Sequence, residues 1–220
     1  MSTLNGTHSK EKIMFNDTYA YGNWIIVASI IALALFFITK YLPLRTRFEK
    51  RTGGTLIAFF IALFTEMYGF PLTIYLLSSF FGLKIPLTHE YGHLFAYFLT
   101  FLGVNIMVGW FIVMAISTIL IIIGLSVITI GWKKAYHSEG RLITTGIYAK
   151  MRHPQYTGIY LVMIGFLIQW PTLITIIMFP FLFTMYYNLA KREEQDIMKK
   201  YRRQYLAYMK KVPMFIPKII

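Results

Sequence analysis

The sequence predicts an all-α polytopic membrane protein, a helical bundle with about five transmembrane helices. Three observations support this prediction. Of the 220 residues, 57% are hydrophobic and only 14% are charged, which leaves too little polar surface to cover a soluble domain. Long apolar regions alternate with short polar ones. The charges are biased, with 22 Lys and Arg against 9 Asp and Glu, and in a membrane protein this bias marks the cytoplasmic side rather than a nucleic-acid partner.

The apolar regions are residues 24–39, 55–83, 94–132 and 156–189. The first predicts a retained span, because no small-residue cleavage site follows it. The second is interrupted by Glu66, Gly69 and Pro71. The third exceeds the roughly 30 Å hydrocarbon core and is expected to break at residues 103–105 and to cross once. The fourth predicts a helical hairpin that turns at residues 169–171, which brings the total to five crossings.

The basic residues predict the orientation of these spans. Nineteen of the 22 lie in three basic segments, residues 40–53, 133–152 and 191–218. By the positive-inside rule these segments are cytoplasmic, so the N-terminus lies outside and the C-terminus inside. Beyond Leu189 an apolar stripe at helical spacing continues on a basic background, which predicts an amphipathic helix along the cytoplasmic surface.

The densest group of reactive side chains lies between Arg141 and Gly158. Thr145-Gly146 signals a turn, and a residue that precedes proline, here His153, is disfavoured in helical geometry. The next helix is expected to begin at about Pro154, so that its free N–H groups favour an anionic ligand at the cytoplasmic mouth of the bundle. In the alternative interpretation, Arg152 pairs with lipid phosphate and Tyr156 is an interfacial anchor.

Adjacent carboxylates, Glu193 and Glu194, follow the last apolar region. Read alone, they fit a solvated helix face with ion pairs to residues four positions away. The predicted hairpin, however, returns the chain to the membrane face it left. We therefore expect both carboxylates to lie beside Arg152 and His153.

These residues carry a family resemblance. Residues 141–217 resemble the C-terminal half of the isoprenylcysteine carboxyl methyltransferases, which are related to the phospholipid methyltransferases. The matching elements, in order, are Leu142-Ile143-Thr144-Thr145-Gly146-Ile147-Tyr148, Arg152-His153-Pro154-Gln155-Tyr156-Thr157-Gly158, Glu193-Glu194, Tyr205-Leu206-Ala207-Tyr208, Lys211-Val212-Pro213 and Ile216-Pro217. The resemblance implies one membrane domain over residues 1–220, with a variable half, 1–132, and a cofactor-binding half, 133–220.

The resemblance further implies S-adenosylmethionine-dependent methyl transfer to a lipophilic acceptor that arrives from the bilayer. The cofactor-binding residues that it implies are Gly146, Tyr148, Arg152, His153, Pro154, Tyr156, Gly158, Glu193 and Glu194. It places Tyr205, Tyr208 and Lys211 at the acceptor, and it implies that His153, Arg152 and Lys211 are the catalytic residues. Prenylcysteine methyltransferases carry arginine where Lys211 stands, and lysine cannot make arginine's planar bidentate contact to a carboxylate. The acceptor stays open among prenylcysteine carboxylates, phospholipid amines, and small thiols or isoprenoids.

The residue chemistry agrees with this implication. Methyl transfer from a sulfonium is an in-line displacement that needs alignment and water exclusion more than a protein nucleophile. Arg152 and His153 can pair with the cofactor's carboxylate, and Glu193 and Glu194 with its cationic end. An amine acceptor must also lose a proton, for which His153 is the best local base.

Two other patterns compete with this interpretation. His89-Glu90-Tyr91-Gly92-His93 matches the zinc-protease pattern H-E-x-x-H, although the chain has only two aspartates to offer as a third ligand and no cysteine. We therefore expect no metal, and an intramembrane zinc protease is kept only as an alternative. Glu66 lies near the middle of an apolar region, so it is either part of the acceptor pocket or hydrogen-bonded at a helix kink. The non-enzymatic alternative is a membrane scaffold that binds anionic lipid.

Overall fold

The structure is a computed structural model that describes residues 21–41, 46–85, 89–138 and 141–217. The N-terminal tail and the side chains of His89 and Glu90 lie outside the described residues. The helices are α1 (Trp24–Tyr41), α2 (Arg47–Phe64), α3 (Leu72–Phe81), α4 (His89–Gly92), α5 (Leu94–Thr100), α6 (Ile106–Tyr136), α7 (Pro154–Gln169) and α8 (Leu173–Met209). These ranges contain no strand, and the predicted all-α membrane bundle is confirmed.

Within the described ranges, four helical segments are long and apolar enough to cross a membrane: α1, α2 with its continuation to Gly69, α6 and α8. The remaining predicted crossing corresponds to α7, which has 16 residues. At 1.5 Å per residue this helix is roughly 24 Å long, less than the roughly 30 Å of a hydrocarbon core. The five-crossing count and the orientation of the termini therefore stay predictions.

The helix breaks expected from the sequence are confirmed. α2 passes at Thr65–Gly69 into a π-helical turn that contains Glu66, and α3 begins directly after Pro71. α5 ends before Gly103, and the Asn105 side chain accepts a hydrogen bond from the first turn of α6. The α7–α8 turn comprises residues 170–172. Each break coincides with a residue that disfavours a continuing helix or caps a new one.

α6 and α7 are antiparallel and pack along a line of small residues. A Cβ added at Gly124 would lie 2.7 Å from the Gly158 carbonyl oxygen, and one added at Gly158 would lie 2.6 Å from the Gly124 oxygen. Gly131 lies against Pro154 at one end of the same line, near the start of α7. Small residues permit this close approach of two backbones, which is a main source of helix association within a membrane. The start of α7 is thereby fixed against α6.

The three basic segments meet at one end of the bundle. The rings of Tyr41, at the end of α1, and Trp132, near the end of α6, are 5.1 Å apart. The Arg192 guanidinium, on the polar part of α8, lies 4.0 Å from the centre of the Phe48 ring at the start of α2. The bundle thus has one strongly basic end, as expected from the charge pattern.

Replacing Gly158 with alanine tests the α6–α7 contact. We expect Gly158→Ala to lower the free energy of unfolding by about 1–3 kcal/mol, because the new methyl group overlaps the backbone of α6. The measurement is thermal unfolding of the purified protein in detergent. Gly54→Ala, on an exposed face of α2 with no atom within 4 Å of the added Cβ, is the matched control and should cause no loss. Equal effects of the two substitutions would contradict the role of Gly158.

Candidate active site

The loop between α6 and α7 brings reactive side chains to the basic end. Gly146 has φ of +66° and starts a short 3₁₀ helix, Gly146–Ala149. Only glycine adopts this backbone conformation without strain, so the predicted turn at Thr145-Gly146 is confirmed. Pro154 occupies the first turn of α7, where its missing N–H costs no helical hydrogen bond. Arg152 and His153 therefore lie in ordered, non-helical chain directly before α7.

Arg152 joins three parts of the chain. Its Nε donates a 2.7 Å hydrogen bond to Glu194 Oε1 on α8. Its Nη1 donates to the carbonyl oxygens of Met209 and Val212, at 3.2 and 2.8 Å. The side chains of Arg152 and Glu194 are only 11% and 6% exposed. This is a largely buried ion pair that is supported by further hydrogen bonds to backbone carbonyl oxygens, which helps to offset the cost of burying charge.

Two carboxylates flank the buried imidazole of His153. Nε2 lies 3.2 Å from Glu194 Oε1, and Nδ1 lies 3.5 Å from Glu193 Oε2. Burial by itself would lower the pKa of His153, but the hydrogen bonds and charges of Glu193 and Glu194 outweigh it and raise that pKa above its ordinary value. The same contacts favour the imidazolium over the neutral ring.

The acidic pair is divided between two environments. The Glu194 side chain is buried against Arg152 and His153, and these partners hold its pKa below the ordinary value despite the opposing effect of burial. The Glu193 side chain remains 33% exposed and accepts a hydrogen bond from the Tyr156 hydroxyl. Glu193 is therefore the carboxylate of the two that a ligand can reach.

A kink in α8 folds the end of that helix over the loop. Tyr201 has non-helical backbone angles, with φ of −127° and ψ of 33°, inside an otherwise helical stretch. Beyond the kink, the Tyr208 hydroxyl donates a 2.5 Å hydrogen bond to the Tyr148 carbonyl oxygen. Tyr205 and Tyr208 are both buried. The sequence predicted the helix along the surface but contained no proline or glycine that would have revealed the kink.

The residues after α8 form a C-terminal strap, residues 210–217, that crosses the start of α7. The backbone N–H groups of Arg152 and His153 donate to the carbonyl oxygens of Pro213 and Met214, at 2.9 and 3.0 Å. The Thr157 hydroxyl donates to the carbonyl oxygen of Phe215 at 2.9 Å, in the same way. The strap thus satisfies the polar groups that precede α7, a role that side-chain motifs alone did not reveal.

These elements enclose a cavity of about 300 Å³. Six of the predicted site residues line it: Tyr148, Arg152, His153, Glu193, Tyr205 and Tyr208. Gln155, which belongs to the motif expected to frame the cofactor, also lines it. The lining residues that the sequence did not single out are Ala135, Arg141, Leu142, Ile143, Ile197 and Tyr201. Several of these lie inside the motif between Arg141 and Gly158. Acidic, basic and aromatic groups therefore face one small volume, a combination suited to a zwitterionic ligand with an aromatic part.

The other predicted cofactor residues surround the cavity without lining it. Gly146 and Pro154 shape the loop, and Tyr156 and Glu194 bond to the lining side chains. Gly158 faces α6 rather than the cavity, where it permits the close helix contact described above.

Two predicted residues lie away from the cavity. Lys211 is exposed in the turn after α8, where its N–H donates to the Tyr208 carbonyl oxygen. Glu66 is at the other end of the bundle, where its Oε2 accepts a 2.8 Å hydrogen bond from the N–H of Thr73, whose hydroxyl in turn accepts from the N–H of Leu173. Leu173 is the first residue of α8, and Glu193 lies 20 residues after it. At 1.5 Å per residue, roughly 30 Å of helix therefore separate this network from Glu193. The structure thus brings neither residue to the candidate site.

The H-E-x-x-H pattern does not lie on one continuous helix. α4 ends at Gly92, and His93 has non-helical backbone angles before α5. The buried His93 ring packs edge-on against Trp170, and its Nδ1 lies 2.6 Å from the Gln169 carbonyl oxygen. Two histidines on one helical face, the arrangement that this zinc motif requires, are not formed here.

Residues 109–204 match the model of the phospholipid methyltransferase family. The match runs from the first turn of α6, through the loop and α7, to the kinked part of α8, so it includes Arg152, His153, Glu193 and Glu194. No curated protein and no solved structure matches the chain significantly. The resemblance noted in the sequence is thereby confirmed at the level of the family.

Neutralising Glu194 tests the buried ion pair. We expect Glu194→Gln to lower the free energy of unfolding by about 3 kcal/mol, because it leaves Arg152 buried without its charged partner. Thermal unfolding in detergent measures this loss. The matched control is Asp196→Asn on the same helix, where the ion pair with Lys199 is largely exposed and its loss should be undetectable. A Glu194→Gln protein as stable as the control would disprove the buried pair.

The raised pKa of His153 predicts a pH dependence of stability. The contribution of the imidazolium is complete below the ordinary pKa of 6.5 and is lost as the pH rises through the raised pKa of the folded protein. We therefore expect the unfolding temperature to fall over this range, and to fall less in His153→Gln. His137→Gln, at the exposed end of α6, should keep the wild-type slope. An unchanged slope in His153→Gln would assign the pH effect to another group.

Proposed function

Because residues 109–204 belong to the phospholipid methyltransferase family, we propose that this protein transfers a methyl group from S-adenosylmethionine to a lipophilic acceptor at the basic end of its membrane bundle. The observation that carries the proposal is the 300 Å³ cavity in which Arg152, His153 and Glu193 converge with tyrosine rings. The positive-inside rule assigns this end of the bundle to the cytoplasm, with the N-terminus on the other side.

The side chains around the cavity fit the polar groups of S-adenosylmethionine. The Glu193 carboxylate suits its ammonium group or its ribose hydroxyls, and the cations Arg152 and His153 suit its carboxylate. The rings of Tyr201, Tyr205 and other lining residues suit the adenine base and the positive sulfonium. When bound, this cofactor supplies an electrophilic methyl group.

The protein itself must bind the cofactor and the acceptor, align them for methyl transfer and exclude water. The hydrogen bond from Tyr208 to the loop holds the end of α8 beside the cavity, a position suited to excluding water from a bound ligand. Since two carboxylates flank the His153 ring and stabilise its charged form, we assign it to binding rather than to proton abstraction. A carboxylate or thiolate acceptor needs no base, and an amine acceptor must arrive already deprotonated or lose its proton to another group.

A second, apolar cavity of about 410 Å³ supports a lipophilic acceptor. It lies between α1, α2, α6 and α7, and its lining includes Ile128 and Ile159. Ile159 is one helical turn along α7 from Gln155, which lines the candidate site. Residues of α6 and α7 therefore line both cavities, one in the apolar part of the bundle and one at its basic end. The arrangement suits an acceptor with a hydrocarbon chain and a reactive polar end.

Cofactor binding tests the proposal. We expect purified wild-type protein to bind S-adenosylmethionine in a calorimetric titration, and Glu193→Gln to weaken this binding by at least about tenfold through loss of a charged hydrogen bond. Asp196→Asn, which removes an exposed carboxylate from the same helix, should leave the affinity unchanged. Unfolding curves confirm that both variants are folded.

The same preparations then test methyl transfer. Labelled S-adenosylmethionine is supplied with a panel of phospholipid, prenylcysteine, isoprenoid and thiol acceptors, and product formation is expected for one of them. Wild-type protein that binds no cofactor would favour the membrane scaffold and contradict the proposal. Equal affinity in Glu193→Gln and Asp196→Asn would contradict the role given to Glu193.

A further inference from the structure

The part of α8 beyond its kink forms one wall of the candidate active site. This segment, residues 202–209, is here called the lid. It begins after Tyr201 and contributes Tyr205 and Tyr208 to the lining of the cavity. Its other end continues into the strap, which is hydrogen-bonded to the residues before α7. We propose that the lid is a hinged element that swings outward at Tyr201 to admit the ligand of the site.

The cavity beside the lid is small for the cofactor of the proposed function. An apolar cavity of about 150 Å³ holds one benzene molecule, so a cavity of about 300 Å³ has room for about two such rings. S-adenosylmethionine contains a purine, a ribose and an amino-acid chain. We therefore expect one wall of the cavity to move outward when this ligand binds. This step rests on the proposed function, whereas the opening of the lid in the free protein does not.

The wall opposite the lid is held in place by α6 and by the strap. Pro154, at the start of α7, packs against Gly131 of α6. The Tyr148 hydroxyl donates a 3.3 Å hydrogen bond to the Gly131 carbonyl oxygen. The backbone N–H groups of Arg152 and His153 donate to carbonyl oxygens of the strap. This wall cannot move outward without breaking contacts with α6, so the lid is the wall that can move.

The lid packs apart from the main core of the bundle. Its two buried rings, Tyr205 and Tyr208, belong to a small apolar cluster with Val212 of the strap, whereas α7 and the earlier part of α8 contribute to the main core. The opposite face of the lid carries the exposed residues Arg202 and Arg203. Outward movement of the lid would therefore expose a few side chains and leave the main core intact, as is typical of segments that open locally.

The backbone at Tyr201 is suited to a hinge. Residues 191–211 include neither glycine nor proline, so the local sequence favours a straight helix and tertiary contacts hold the kink. Among these contacts is the hydrogen bond from the Tyr208 hydroxyl to the Tyr148 carbonyl oxygen. α8 thus has two competing conformations, a kinked one with the lid against the loop and a straighter one with the lid raised. The change between them needs only a few backbone angles at the kink.

Hydrogen exchange of the purified protein in detergent tests the lid without any ligand. We expect the backbone amides of the lid to exchange faster than those of residues 190–200, which precede the kink on the same helix. Tyr208→Phe removes the hydrogen bond to the loop and should speed exchange in the lid by roughly threefold to tenfold, with residues 190–200 unchanged. The matched control, Tyr160→Phe, removes a tyrosine hydroxyl that donates to a backbone carbonyl oxygen beside the main core. Exchange in the lid that is no faster in Tyr208→Phe than in Tyr160→Phe would overturn the hinge.

A distance measurement then tests whether the ligand raises the lid. The chain has no cysteine, so spin labels attach only to cysteines that are introduced. The test pair, Lys150→Cys/Arg203→Cys, joins the loop to the exposed face of the lid, and the control pair, Lys150→Cys/Gln195→Cys, ends before the kink. We expect saturating S-adenosylmethionine to lengthen the distance in the test pair and to leave the control distance unchanged.

The two measurements separate this inference from the proposed function. Protein that binds no S-adenosylmethionine in the calorimetric titration contradicts methyl transfer, and hydrogen exchange in the free protein still decides whether the lid opens. Protein that binds S-adenosylmethionine while the test distance stays the same supports the proposed function and overturns the lid as its entrance.

Discussion

The buried carboxylate of Glu194 is the interaction on which the candidate site depends. It balances the charge of Arg152 and lies within hydrogen-bonding distance of His153, and these two residues precede α7 while Glu194 lies on α8. A carboxylate this deeply buried persists only when opposite charge and hydrogen bonds compensate its lost hydration. The cluster therefore requires the helical hairpin to close at the observed register. The carbonyl groups of Met209 and Val212 accept further hydrogen bonds from Arg152, which ties the strap into the same arrangement.

The acidic pair shows how neighbouring residues acquire different tasks. The Glu194 side chain is buried against its cationic partners and holds the loop in place. The Glu193 side chain, in contrast, remains 33% exposed at the cavity. Tyr156 and His153 contact that second carboxylate, one at each of its two oxygens. A positively charged ligand can therefore meet an ordered carboxylate without disrupting the buried pair. Rigid support of this kind keeps the reorganisation that accompanies ligand binding small.

The far end of the bundle explains why other conspicuous residues are absent from the site. Glu66 accepts a hydrogen bond from the backbone of Thr73 at the start of α3, within a network that reaches the first residue of α8. His93 packs against Trp170 and bonds to the adjacent carbonyl of Gln169. Both residues hold helix ends and turns together where the backbone would otherwise lack partners. A polar residue in an apolar sequence invites a functional reading, but here the contacts are structural.

The sequence by itself determined the membrane class, the helix breaks, the basic end of the bundle and the motif that contains Arg152, His153 and the acidic pair. These features follow from local chemistry: apolar length, glycine and proline, and the distribution of charge. Only the tertiary structure decided which carboxylate is buried, that Lys211 and Glu66 lie outside the cavity, and that α8 bends at Tyr201. The physical reason is that burial and partner choice depend on the register of packed helices, and the strap acts through backbone carbonyls, which every residue possesses and no sequence motif distinguishes.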